Sequence, residues 1–292
     1  MKYSISTKFN IIFTIAFFVA SVIAGVIINN ILQGNAREES VQNARVLMQS
    51  ASASRSYTTN QILPILEARL SDVFLPQSVP SYAATEQLNQ LLKLYPDFTY
   101  KEATLNPTNP RDRASDWEAD LVNMLRAKPT LTELVGERMS ANGPALYIAK
   151  PLQIKDAACL RCHSTPNIAP PSMTAIYGLA NGFGWKHMEI VGAQVVSVPL
   201  DIPFQRANRI LQTYMLSMLG VFLFLLVSLN LMMHFFVIRR IKKMSKLADR
   251  ASMGEHDAEK LNVQGNDELS VLAQSFGRMQ TSLTSALKML GE

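Results

Sequence analysis

The chain has 292 residues, of which 48% are apolar and 17% charged, with a mean hydropathy of +0.08 and a formal net charge of +5. A charged fraction below the ~25% usual for soluble domains, with no glycine repeat, excludes a disordered chain and a collagen-like fibre. Two cysteines allow one bridge at most, which excludes a disulfide scaffold.

This length suggests about two domains. The positive charge is local, so nucleic acid is not expected as a partner. The first uncharged run is Phe9 to Leu32, 24 residues. About 20 apolar residues cross the hydrocarbon core as a helix. A secretory signal peptide is the alternative, with Val22-Ile23-Ala24 as a poor cleavage site. Signal cores run ~7–15 residues, whereas Ile11 to Ile28 is 18, so an uncleaved anchor is expected over 9–32.

Residues 36 to 70 read as a long helix, with Val41, Ala44, Met48, Ala51 and Arg55 at helical spacing. Pro64 is expected to kink or end it. Tyr82 to Leu94 is a second helix, closed by Pro96. Phe98 to Leu105 alternates like a half-buried strand, and the turn Asn106-Pro107-Thr108-Asn109-Pro110 stops it. Ser115 to Ala127 reads as a helix, with Glu118 at the capping-box spacing from Ser115. Leu131 to Met139 and Ala145 to Ile154 read as strands joined by a turn at 141–144, and Glu189 to Pro199 as a last strand. Few antiparallel strands with helices around them make an α+β domain.

The second uncharged run, Ile210 to Ile238, is the second expected span, with His234 near its interface. Arg239, Arg240, Lys242, Lys243 and Lys246 follow it without an intervening acid, and Lys2 and Lys8 flank the first span. The other flanks carry Arg37, Arg206 and Arg209, offset by Glu38, Glu39 and Asp201. The positive-inside rule then puts both termini and the 239–292 segment in the cytoplasm of a two-pass membrane protein in contact with lipid. The 36–203 domain lies outside.

Both cysteines fall in Cys159-Leu160-Arg161-Cys162-His163. This C-x-x-C-H spacing is the attachment signature of c-type haem. One helical turn presents two thiols to the two vinyl groups of one porphyrin edge, and the adjacent imidazole reaches the iron as the proximal ligand. Two Cys and four His scattered at random give it about once in ten thousand chains. A thioredoxin-type pair, a zinc site and a strained disulfide are the alternatives. The first wants a βαβ setting, and the second wants a fourth ligand.

The expected cofactor is one covalent haem c on Cys159 and Cys162, with His163 on the iron. Met48, Met173, His187 and Met188 are candidates for the sixth position, beside an open site, and ordinary core packing is the alternative for each Met. Met48 comes first, because the long helix presents it toward the domain near Arg55 and Tyr57. Arg55 and Tyr57 either meet haem propionates, shape the distal pocket or lie on the helix surface. Trp185 covers the haem edge or fills the core. Asn106 and Asn109 are expected to hold a turn.

Residues 54–66, 98–118, 151–166 and 177–199 together resemble the c-type haem domain with a PAS-like fold found in cyanobacteria and proteobacteria. The resemblance covers about 36–203 and implies a PAS-like sensor domain with haem c near its sheet. Residues 239–292 resemble a HAMP linker. Ile241, Met244, Ala248 and Ala251 form one apolar seam, Gly254 breaks it, and Leu261 and Val263 sit in a connector. Leu269, Leu272, Phe276, Met279, Leu283, Ala286 and Leu290 then follow a 3-4 spacing. Asp267-Glu268 matches the start of the second HAMP helix, and the proline usual early in the first is absent around Lys242-Lys243-Met244. Such a seam cannot bury itself alone, so a homodimer with a parallel four-helix bundle is expected.

No nucleophile elbow, phosphate loop or paired-acid motif is present, so an enzyme is not expected. Haem, two spans and HAMP together suggest a membrane sensor of redox state or a small haem ligand. It would relay to a separate output protein such as a histidine kinase. The alternative is a membrane-anchored mono-haem cytochrome c that passes electrons to a redox partner.

Overall fold

The computed structural model describes residues 4–70, 72–253 and 267–290, and within the last helix the side chains at 268–282, 285 and 289. The chain divides into two compact units, one of residues 28–211 and one of residues 1–27 with 212–292.

The 28–211 unit is built on a four-stranded antiparallel sheet: β1 (Thr99–Thr104), β2 (Leu134–Ser140), β3 (Gly143–Gln153) and β4 (Ile190–Pro199), in the spatial order β1-β4-β3-β2. The turn between β2 and β3 is shorter than the sequence suggests, because Gly143 and Pro144 already pair with Ser140 and Met139. Gly143 sits at φ +110, and a Cβ there would meet Asp201 Oδ2 at 2.5 Å, so this position requires glycine.

Side chains alternate across the sheet. On one face Tyr100, Leu146, Ile148, Val196 and Val198 pack with helices α1 (Ile5–Tyr57) and α3 (Pro80–Leu92). The buried stripe of α1 is Ala36, Ser40, Ala44, Met48 and Ala51. Its residues are mostly small, which lets the helix backbone lie close on the strands. On the other face Ala103, Ala149, Ala193 and Val195 pack with Leu121, Val122 and Leu125 of α4 (Asp116–Ala127). Glu118 closes the start of α4 by accepting from the Ser115 backbone N–H at 2.8 Å and from its Oγ at 2.8 Å. β4 has helices over both faces and is buried along nearly its whole length.

Pro64 acts as expected. It has no N–H for the carbonyl four residues back. The chain leaves α1 through a π turn, Thr58–Ile62, before the short α2 (Leu63–Leu66), in which Pro64 sits at the first turn. The motif helix α5 (Leu160–His163) and α6 (Pro171–Tyr177) lie between β3 and β4 in the chain.

In the other unit the apolar part of α1 packs on α7 (Asp201–Met232). Phe17 stacks on Phe222 at 4.1 Å between ring centroids, and Phe13 on Phe222 at 5.6 Å. Asn10 and Asn230 exchange two side-chain hydrogen bonds of 2.9 Å each. Phe18 and Phe224 are exposed, at 67% and 71%, on helices long and apolar enough to cross a membrane. A second π turn, Met233–Ile238, leads into α8 (Arg239–Ser252).

α8 and α9 (Glu268–Leu290) contact each other. Asp267 caps α9, accepting from Ser270 N at 2.8 Å, and pairs with Arg240 at 2.6 Å. Within one chain the contact uses Leu247 and Ala273. Of the expected seam, Leu272 and Met279 stay exposed, at 55% and 59%, and Met244, Ala248, Leu269 and Phe276 are half-buried. Lys2, Gly254, Leu261 and Val263, and the side chains of Ala251, Leu283, Ala286 and Leu290, lie outside the described residues.

Candidate functional site

The Cys159–His163 segment starts where β3 runs out. Asp156 accepts from Ala158 N at 2.8 Å and begins a tight 3-10 turn, Ala157–Cys159, which passes into α5. Cys159 and Cys162 are three apart on this turn, so both thiols lie on one side of it. They are free and half-buried. Burial pushes both thiols up, Cys159 against the opposing pull of Arg55 and Cys162 against that of Arg161. Both are therefore neutral thiols rather than thiolates.

His163 is held by residues far away in the chain. Its Nδ1 lies 2.8 Å from the carbonyl oxygen of Gly182. A carbonyl only accepts, so Nδ1 carries the proton and Nε2 keeps its lone pair. Thr108 Oγ1 stands 3.4 Å from the same nitrogen. Trp185 stacks on the imidazole at 4.0 Å with 16° between the planes. The Trp185 backbone N–H donates to His163 O at 3.2 Å, and Gly184 N–H to Ser164 O at 2.9 Å. Burial lowers the imidazole, against the opposing hydrogen bond to Gly182, so the ring is neutral at pH 7.

The 182–185 loop is in turn braced by the turn after β1. Asn106 Oδ1 accepts from Gly182 N at 3.3 Å, and its Nδ2 donates to Phe183 O at 3.3 Å. Gly182 has φ +85, and a Cβ there would stand 2.0 Å from Thr108 Oγ1. Asn109 holds its own turn by accepting from Arg111 N at 3.2 Å. Asn106 therefore does more than hold a turn, which its place in a proline-rich stretch did not reveal.

Arg55 faces inward from the end of α1 and pairs with Glu102 of β1. The Tyr100 hydroxyl donates to the other Glu102 oxygen at 2.7 Å, and Gln194 Nε2 donates to Tyr100 OH at 3.1 Å. The Glu102 side chain is 3% exposed. Arg161, inside the motif, pairs with Glu67, and Ser172 of α6 donates to Leu70 O at 2.6 Å. The segment after α2 is thereby tied to α5 and α6.

The remaining expected residues fall in different surroundings. Met48 is fully buried in the apolar cluster with Ala44, Leu88, Leu146 and Ile148, a cluster that contains none of Cys159, Cys162 and His163. Met173 is buried on α6 and belongs to neither apolar cluster. Tyr57 is exposed. His187 is exposed, with Nε2 3.1 Å from Lys155 O. Met188 is exposed at φ +66 and bridges two strand ends, its N–H donating to Ile154 O and its carbonyl accepting from Gln153. Trp185 covers the imidazole rather than filling either apolar cluster. Sequence reasoning missed Glu102, Tyr100, Gln194, Thr108 and Gly182. The one available signal was a carboxylate at the same strand parity as Tyr100.

A helix-and-sheet domain flanked by two apolar helices and followed by a helical pair fits a membrane protein with a HAMP domain, and residues 232–285 match the HAMP domain. Residues 33–199, more than half of the chain, match the Tll0287-like family, and the chain belongs to it. Among solved structures, the crystal structure of the cyanobacterial haem protein Tll0287 is similar at 15% identity and TM-score 0.44, over 55% of this chain and 95% of that one. No curated protein sequence matches.

Proposed function

We propose that this chain is a two-pass membrane haem sensor and not an enzyme. Its 36–203 domain lies outside the cytoplasm and carries one haem c on the sulfurs of Cys159 and Cys162, with Nε2 of His163 as the proximal iron ligand. The hydrogen bond from His163 Nδ1 to Gly182 O carries this reading. It fixes the tautomer in which Nε2 is the electron-pair donor, the second bond that metal-ligating histidines ordinarily make.

The donor set fits the group. Two neutral thiols stand on one helical turn, and a neutral imidazole follows directly. When bound, haem supplies a one-electron couple and an iron that takes small ligands. The protein's part is to hold the ring. Trp185 covers one face of the imidazole, Gly182 orients it, and Asn106 and Thr108 keep that loop in place.

Five basic residues just after the second span, against three offset arginines on the other flanks, support the cytoplasmic side for the HAMP segment. Leu272 and Met279, exposed within one chain, suit a homodimer seam. A HAMP bundle in two arrangements would be biased by a change in the outer domain and read by a separate output protein.

The test is an absorption spectrum of the purified full chain, oxidised and reduced, with and without CO, alongside cysteine cross-linking at Leu272 and Met279. Cross-links that change on reduction or CO binding support the sensor. A haem indifferent to CO with cross-links unmoved supports a membrane-anchored electron carrier instead. A colourless chain overturns both.

A further inference from the structure

Arg55, at the end of α1, and Glu102 of β1 form an ion pair in which the Glu102 side chain is 3% exposed and the Arg55 side chain 28%. Glu102 is spent on both sides, accepting from Arg55 on one oxygen and from the Tyr100 hydroxyl on the other, and Gln194 locks Tyr100 from the next strand. Four residues on from Glu102, Asn106 braces the loop that holds His163, and the charge of Arg55 pulls the Cys159 thiol down against its burial. A buried pair is no more stabilising than apolar residues of the same size, and the same sheet face is otherwise filled by Val196, Leu146 and Ile148. Stability alone therefore gives no reason for charges here. A fixed charge in a poorly solvated interior acts on a neighbouring redox centre over several ångströms.

We propose that Arg55 and Glu102 set the redox potential of the haem site, with Arg55 the acting charge and Glu102 the positioning residue that holds and offsets it. This rests on the haem reading above. Arg55 favours the form that carries one more electron, and Glu102, of opposite charge, opposes it. Tyr100 and Gln194 keep the carboxylate from turning toward the site.

The experiment is a potentiometric titration of the full chain in detergent, with haem attachment read independently as the mass of the denatured polypeptide. Glu102→Gln leaves Arg55 charged, since a guanidinium does not lose its proton. Its midpoint rises, by about tenfold in the reduced-to-oxidised ratio at fixed potential, ~59 mV for one electron. The double variant Arg55→Gln/Glu102→Gln removes both charges and returns toward the unmodified value. Tyr100→Phe keeps both charges and stays near it.

An unmoved Glu102→Gln midpoint, a double variant that stays with Glu102→Gln, or a Tyr100→Phe shift as large as that of Glu102→Gln overturns the proposal. If Glu102→Gln does not load haem, Arg55→Gln decides: a lower midpoint supports it, and a higher or equal one overturns it. An unmodified chain without the haem mass removes the haem reading and this proposal with it. A loaded chain whose variants fail these tests removes this proposal alone.

Discussion

His163 and Gly182 are joined by a 2.8 Å hydrogen bond between an imidazole Nδ1–H and a backbone carbonyl. Nineteen residues separate them, and the bond depends on a backbone turn that a side chain at Gly182 would spoil. Gly182→Ala places a Cβ 2.0 Å from Thr108 Oγ1 at a φ of +85. Strain of this kind costs about 1–3 kcal/mol. We expect a lower unfolding temperature and a shifted Soret band. An unchanged spectrum would separate the loop from the imidazole.

Met48 is fully buried among apolar residues of α1, α3 and the sheet. Truncating such a side chain costs ~2–5 kcal/mol, while Met48→Leu keeps the volume and costs less than ~1.5 kcal/mol. Met48→Ala and Met48→Leu should both keep the oxidised and reduced spectra of the unmodified chain. A changed spectrum in Met48→Leu, which has no sulfur, would instead mark Met48 as an iron ligand.

Burial pushes the Asp112 carboxyl up to about 6, against the opposing charge of Arg111. Its folded value lies above its unfolded one, so the folded chain holds the proton longer. Stability therefore falls as pH rises from about 4 to about 6 and is level beyond, a loss of at most about 3 kcal/mol. Asp112→Asn removes this dependence. Thermal unfolding should show its advantage over the unmodified chain growing between pH 4 and 7, and a gap that is the same at both ends would contradict it.

Asn10 and Asn230 satisfy each other's amides inside an otherwise apolar helix pair. Hydrogen bonds of this kind are worth ~0.6–2 kcal/mol in a bilayer. Asn10→Leu and Asn230→Leu should each lower stability in lipid nanodiscs. The double variant should lose less than their sum, which a double-mutant cycle reads directly.

Leu272 and Met279 are exposed on α9 while Ala273 is buried against the same chain. Leu272→Cys and Met279→Cys should each give a disulfide-linked dimer in membranes on mild oxidation, with Gln274→Cys as an exposed control that does not. Equal cross-linking at all three would count against the seam.

The local parts of this architecture were legible in the sequence. Strand alternation in 98–105, the capping box at Ser115 and Glu118, and the break at Pro64 depend on neighbours a few residues apart, and each has its counterpart in the structure. The motif spacing singled out Cys159, Cys162 and His163, which the structure sets on one turn. The brace around them was not legible, because its contacts join distant segments: Arg55 with Glu102 across 47 residues, and Asn106 with Phe183 across 77. The helical stripe placed Met48 inward but did not show which apolar residues of α3 and the sheet it meets there.

The π turn at Met233–Ile238 changes how the helix must be counted. It takes in about one residue more than an α-helix uses for the same rotation. Any heptad register carried from Leu231 onto Ile241 is therefore out of phase by one position. Chimeras that graft a foreign signalling module after this point will keep their facing only if the splice preserves that extra residue, and a one-residue deletion here should act as a screw of the downstream helices rather than as a simple shortening.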